Sequence, residues 1–324
     1  MKRFFTRIHI LIVCVFVAFS GLAVAQQSFP SKPIRLVTPY PPGGGTSVVA
    51  HLMGQKLTAS WGQQVLVDNR PGGNTIIGTD SVAKSPPDGY TVILVVSTFV
   101  ILPSLSPTPY DVIKDFAPIA TLATSDYVLL INPTLPVSSV KELIALAKSK
   151  PGQLAYGSTG AGGVQHLAAE MLSSMTGIKM LHIPYKGAGT LYPDLLGGRI
   201  QVTFQSVPGA MSYVKGGRLR AIAISGDNRL PTLPQIPTFA EAGLRDFDVN
   251  TWFGVLAPSG TPNETVNKYS NEFAKILTMA DTKEKLDGVG ARPLILNPEK
   301  FAELIRSDFA KFAKVIKDGD IKGE

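Results

Sequence analysis

Apolar positions along the chain fall into two rhythms. Ile34–Val37, Val65–Val67, Thr91–Val96, Val128–Ile131, Leu181–Pro184, Ala221–Ile224 and Thr251–Ala257 are short runs with the length and composition of strands. Ile200, Val202 and Phe204 alternate as a further strand that ends at Gln205-Ser206. Between them the spacing changes to the helical period. Val48, Val49, Leu52, Met53 and Leu57 share one face, as do Val140, Leu143, Ile144 and Ala147 behind a Ser138-Ser139 cap. Val164, Leu167, Ala168, Met171, Leu172 and Met175 do the same. Helix is also predicted from Ile76 to Lys84, near Asn263–Thr278, and near Pro298–Ile316 through Phe301, Leu304, Ile305, Phe309, Phe312 and Ile316. Thr91–Val96 is apolar without a break, as in a strand buried on both faces. This alternation predicts an α/β fold with mainly parallel sheets, whose ligand sits outside the carboxyl ends of the strands.

Two of the strand-to-helix connections are chemically unusual. Pro39–Leu57 reads PYPPGGGTSVVAHLMGQKL: prolines stiffen the approach and glycines let backbone come close to a partner. A helix then starts with its N–H groups free, an arrangement that attracts anions. Tyr156–Met171, YGSTGAGGVQHLAAEM, repeats the plan. Together they suggest one negatively charged ligand held between two lobes. No Lys-Ser/Thr pair follows the first loop, which argues against a nucleotide P-loop.

Composition narrows the class. Met1–Ala25 has a basic start (Lys2, Arg3, Arg7), an apolar Ile10–Val17 and a small-residue Ala23-Val24-Ala25 pattern, the marks of a secretory signal cut after Ala25. The alternative, an uncleaved membrane anchor, is disfavoured by the short apolar run and by Gln26-Gln27 behind it. The only cysteine, Cys14, leaves with that segment, so the mature Gln26–Glu324 has neither disulfide nor thiol chemistry. Net charge falls from +7 to +4, because the segment carries three basic and no acidic residues. Charged residues make up 17% without a Lys/Arg run, so there is no nucleic-acid footprint. About 300 mature residues is long for one core and suits two lobes.

The motifs PSKPIRLVTPYPPGGG, DNRPGG, PDGYT, KDFAPIA, SVKELIALAKSKPGQLAYGSTGAGG, HIPYKGAG, DLLGGRIQ, LRAIAISG, PTFAEAG and WFGVLAPSGTP occur in that order. They resemble the solute-binding component of the tripartite tricarboxylate transporters, often called the Bug family, from about Phe29 to the last helix. The resemblance implies a two-lobed periplasmic binding protein of the Venus-flytrap, type II-like kind. It would close over a small mono- or dicarboxylate and deliver it to a membrane permease. The implied lobes are residues 26–127 plus 251–324 and residues 128–250, with two hinge crossings near Tyr127 and Asn250. Carried over, the ligand contacts are the first loop (Pro41, Pro42, Gly43, Gly44, Gly45, Thr46) and the second (Ser158, Thr159, Gly160, Ala161, Gly162). Ser97, Thr98, Tyr185, Gly187 and Gln205 would line the same cleft. The chain departs from the family pattern at Ser47, His51 and Gln205, where an acid, an arginine and an acid are usual. The departures leave the class standing and the ligand unnamed. Phe99, Val100 and Tyr185 would favour an aromatic carboxylate if they line the cleft.

Other readings compete at single residues. His51 is expected to be a structural histidine, and Arg70 reads as a cleft contact or as the partner of Asp68 or Asp80. Lys186 reads equally as a ligand contact or a solvated charge, and Ser158 and Thr159 as ligand donors or helix caps. His166 and His182 read as isolated, so neither a metal nor a cofactor is expected. No Gly-x-Ser-x-Gly elbow or His-Glu-x-x-His helix is present, which makes a hydrolase an outside alternative and catalytic residues none. A ligand-sensing receptor for a signalling partner is the third class, and the expected assembly is a monomer. On this reading Gly44→Val is expected to abolish carboxylate binding with the fold intact, since its side chain would occupy the ligand's place. Unchanged affinity by calorimetry would make the loop a plain turn.

Overall fold

The computed structural model describes residues 29–247 and 249–318. The chain divides into two units, Met1–Ser31 and Lys32–Glu324. Nearly all of the first, including the expected signal segment, lies outside the described residues. Every element below belongs to the second.

Its strands are β1 (Ile34–Thr38), β2 (Val65–Asn69), β3 (Thr91–Val96), β4 (Phe116–Ile131) and β5 (Ala155–Ser158). β6 (Leu181–Pro184), β7 (Val202–Ser206), β8 (Arg220–Ile224), β9 (Asn250–Pro258) and β10 (Arg292–Pro293) complete them. The helices are α1 (Gly45–Trp61), α2 (Ile76–Ala83), α3 (Thr98–Ile101), α4 (Val140–Ser149) and α5 (Val164–Thr176). After them come α6 (Ala188–Leu196), α7 (Val207–Lys215), α8 (Asn263–Thr278), α9 (Ala280–Gly288) and α10 (Pro298–Asp318).

One strand organises the sheets. β4 runs for 16 residues, and its first part, Phe116–Asp126, pairs antiparallel with β9. Its second part, Tyr127–Ile131, pairs antiparallel with β7, and Val128–Ile131 also with β8. The first sheet therefore reads β2-β1-β3-β9-β4 and the second β8-β4-β7-β5-β6. The expected parallel pairing holds for β1 with β2 and β3, and for β5 with β6 and β7. It fails at β4 and β9, which run against their neighbours, so the sheets are mixed.

Each sheet has its own core. Val37, Ile93, Val95, Phe99, Phe116, Trp252 and Phe301 pack on the first. Leu129, Ile131, Leu143, Tyr156, Ala168, Leu172 and Phe204 cover one face of the second, and Val128, Leu130, Leu191, Leu195 and Val207 the other. The last helix joins two of these clusters: Phe301 and Ile305 belong to the first, Ile316 to the second, and Phe312 packs against both. Trp252 Nε1 donates to Asp308 Oδ2 at 2.8 Å and ties α10 to β9.

Where β4 changes sheets, Asp126 is 3% exposed. Arg292 of β10 answers it with two parallel bonds, Nη1 to Oδ2 at 2.8 Å and Nη2 to Oδ1 at 3.0 Å. A carboxylate taken out of water needs such a partner, and removing one half of a buried pair costs about 3–5 kcal/mol. The Arg292 side chain is 49% exposed, which weakens the pair through solvent screening. Arg292→Ala is accordingly expected to lower stability by about 2–3 kcal/mol, seen as a lower urea midpoint, with Arg292→Lys in between. An unshifted midpoint would mean that the pair does not hold the sheet junction.

Candidate functional site

A cavity of about 650 Å³ opens where the strand ends meet. Its floor comes from the crossing strands and their approaches: Tyr40, Val96, Tyr127, Thr251 and Phe253. Its walls are the loops that lead into helices. Gly44–Thr46 open α1, Gly72–Ile76 open α2, Thr159–Ala161 and Gln165 flank the start of α5, Gly187-Ala188 open α6, and Gln205-Ser206 precede α7.

These helix starts share an electrostatic property. A helix N-terminus carries roughly half a positive charge, and proteins commonly answer it with an acidic residue in the first turn. Elsewhere in this chain that is the rule: α4, α8, α9 and α10 have Glu142, Glu264, Asp281 and Glu299 there. At α4 the answer is direct, since Glu142 Oε2 accepts from the Ser138 amide at 2.6 Å. The five helices of eight or more residues that begin at the cavity, α1, α2, α5, α6 and α7, have none, and neither has the one-turn α3, whose Thr98 also lines it. Among the described residues no acidic side chain lines the cavity, and Lys186 is its one cation. The space therefore presents uncompensated positive potential of backbone origin.

The starts form two groups. Around α1, a Cβ on Gly45 would fall 2.6 Å from Ser206 Oγ, and one on Gly44 would touch Ala188 Cβ at 3.8 Å. Glycine at 45 thus lets the starts of α1 and α7 come together, with α6 beside them. Across the cavity, α2 meets α5. Asn74 Nδ2 donates to the Ala161 carbonyl at 2.9 Å, and a Cβ on Gly160 would overlap the Asn74 amide. Gly72, Gly73, Asn74 and Thr75 are all at positive φ, a strained run for the β-branched Thr75.

Of the residues expected at the site, Pro41, Gly44, Gly45, Thr46, Thr98, Thr159, Gly160, Ala161, Tyr185, Gly187 and Gln205 line the cavity. Pro42 and Gly43 are exposed at the loop tip and outside the lining. Ser97 is buried and bonds Thr251 Oγ1 at 2.9 Å. Ser158 lies fully buried behind its loop, donating to the Gly160 carbonyl at 2.8 Å. Gly162 faces Leu105 instead. Phe99 and Val100 are core residues, Phe99 edge-on to Phe116, so of the three residues proposed to favour an aromatic ligand only Tyr185 reaches the cavity. His51 is exposed on α1, which corrects the expectation of a structural histidine, and Arg70 pairs with Asp68 at 2.8 Å. Tyr185 donates to Asp194 at 2.9 Å, and Asp194 pairs with Arg199. His166 and His182 are not isolated: their rings stack at 3.9 Å. No cluster of three metal-ligating side chains occurs among the described residues.

Sequence reading missed Asn74, Thr75, Gln165, Tyr127, Thr251 and Phe253 in the lining. The PGG ahead of Asn74 was the available signal for the first two. The strand residues carry none, because only the change of sheet within β4 aims Tyr127 at the cavity.

Mixed sheets sharing a long strand, with an anion-attracting cavity between helix starts, define the periplasmic binding protein fold, and comparison with known proteins agrees. The family described as "Tripartite tricarboxylate transporter family receptor" matches residues 49–321. Protein BugT of Bordetella pertussis is 34% identical over 316 residues, covering 96% of this chain and 97% of that one. Rpa4515 of R. palustris, solved with adipate, superposes with a TM-score of 0.89 at 33% identity, covering 91% of this chain and all of that one. MatC from Rhodopseudomonas palustris, solved with bound malate, gives 0.79 at 26% identity, covering 89% of this chain and all of that one. The chain belongs to the tripartite tricarboxylate transporter receptor family, the Bug family of periplasmic solute-binding proteins.

The contact between the two loops is testable without a ligand. Asn74→Ala removes one hydrogen bond, worth about 1 kcal/mol, and is expected to speed amide exchange in residues 160–163 about fivefold. Unchanged exchange would mean that the loops are ordered independently of one another.

Proposed function

We propose that the protein captures a small organic carboxylate between its two glycine-rich loops and delivers it to the membrane permease of a tripartite tricarboxylate-type transporter. The observation that carries this reading is the set of five helix starts at one cavity, none with an acid of its own. A helix start stabilises an anion by about 0.3–1 kcal/mol when exposed and up to ~2 kcal/mol when partly buried. Several starts with direct N–H bonds reach the about 8 kcal/mol of a micromolar complex. Adipate and malate in two relatives are small carboxylates of the kind such a cavity suits.

Two groups of helix starts, separated by a floor of Tyr40, Val96, Tyr127 and Phe253, favour a dicarboxylate over a monocarboxylate. Each carboxylate takes one group, and an uncharged chain or ring lies on the floor. Thr46, Thr98, Thr159 and Gln205 supply side-chain hydrogen bonds, and the exposed Lys186 adds one charge. Lobes 26–127 plus 251–324 and 128–250 turn about the crossings in β4 and at the start of β9, since ligand bound between them adds contacts from both sides. Export with cleavage after Ala25, and action as a monomer, complete the proposal.

A thermal-shift screen of mature Gln26–Glu324 against aliphatic and aromatic mono- and dicarboxylates tests it. A dicarboxylate is expected to raise Tm, with about 2.7 kcal/mol of added stability at 100 times its Kd. No shift with any organic acid, together with a shift from a neutral sugar or a cation, would overturn the reading.

A further inference from the structure

Beneath the second glycine loop lies a stack of three rings that the proposed binding role does not use. Tyr156 on β5 stands in register with His182 on β6, which places their rings 4.9 Å apart and nearly parallel. His182 in turn stacks on His166 of α5 at 3.9 Å, 15° from parallel. Each imidazole holds a piece of the loop. The Gly162 amide donates to His166 Nδ1 at 2.9 Å. Ser158 Oγ lies 2.7 Å from His182 Nε2 and 2.8 Å from the Gly160 carbonyl. That carbonyl only accepts, so the serine proton goes to it and His182 Nε2 carries its own hydrogen. His166 Nδ1, receiving an N–H, has to be bare.

The two nitrogens therefore respond differently to a proton. His182 can gain one at Nδ1 and still donate to Ser158. His166 cannot be protonated at Nδ1 and still accept from Gly162. Two cations cannot share a 3.9 Å stack cheaply, so the pair takes up one proton at a time. Burial, and then the charge of His166, push His182 down to about 4; a proton on His166 is the one that costs a loop contact, since its Nδ1 already accepts the Gly162 amide. Tyr156 on β5 and Glu170 on α5 are titratable groups beside the stack, and these two bond each other at 2.7 Å.

We propose that His166 is a positioning residue for residues 159–163: its bare Nδ1 holds the Gly162 amide, and protonation there releases the loop and lowers affinity for an anionic ligand. The inference rests on the carboxylate-binding role proposed above. It names the residue that makes binding sensitive to acid, the opposite of what added positive charge alone would do near an anion.

Calorimetry with adipate at pH 7.5 and 5.5, on wild type, His166→Asn and His166→Leu, tests it. Asparagine keeps an acceptor oxygen in place of Nδ1 but does not titrate, so its pH profile carries the titrations of the ligand and of His182 without that of His166. Wild type is expected to lose at least fivefold more affinity than His166→Asn over that interval, and His166→Leu to bind weakly at both. Affinity that rises on acidification, or a His166→Asn profile matching wild type, would overturn the proposal. Should adipate not bind at either pH, the ligand-free protein decides. The Gly162 amide signal in NMR is expected to move with the Nδ1 titration of His166, and a Gly162 signal indifferent to it would overturn the proposal on its own.

Discussion

Five helices of eight or more residues begin at one cavity without a counter-charge of their own, and much of the structure serves to bring them there. Partial charges of one sign gathered in one place repel each other, and the first amides of each helix still need acceptors. Acids at other helix starts remove that penalty locally. Here it is left standing, to be removed by whatever enters. In the proposed function an anion completes this arrangement in a way that a neutral solute does not.

The fold holds the arrangement through two constraints. β4 belongs to both sheets, so the starts of α1 and α2, which follow strands of the first sheet, meet those of α5, α6 and α7, which follow strands of the second, and the buried Asp126 with Arg292 marks the place where β4 changes sides. Glycine then sets the closeness. Gly45 admits Ser206, and Gly160 admits Asn74, contacts that a β-carbon would prevent. The glycine loops are therefore points where the parts of the proposed clamp approach each other.

Much of this was legible in the sequence. The period-3.6 faces marked α1, α4, α5 and α10, helix was also expected over α2 and α8, and the apolar runs marked most strands. The first part of β4, FAPIATLATSD, was not legible as strand, because it carries Pro118 and polar Thr and Ser and is buried on both faces, which erases alternation. α6 contains Gly189, Thr190 and Pro193, and α9 is nearly all polar, so neither has a helical signature. The loop residues of the site followed from glycine chemistry and resemblance. The floor residues, and the pairing of His166 with His182, depend on sheet register, which no local pattern encodes.

The central claim is that backbone at helix starts, rather than a charged side chain, holds an organic anion. A two-dimensional amide NMR titration of the mature protein with adipate addresses it directly. The account predicts that the amides of Gly45, Thr46, Gly160, Ala161, Ala188 and Val207 shift together and saturate at one ligand equivalent. Saturable shifts confined to Lys186 and its neighbours, with those helix-start amides unmoved, would contradict it.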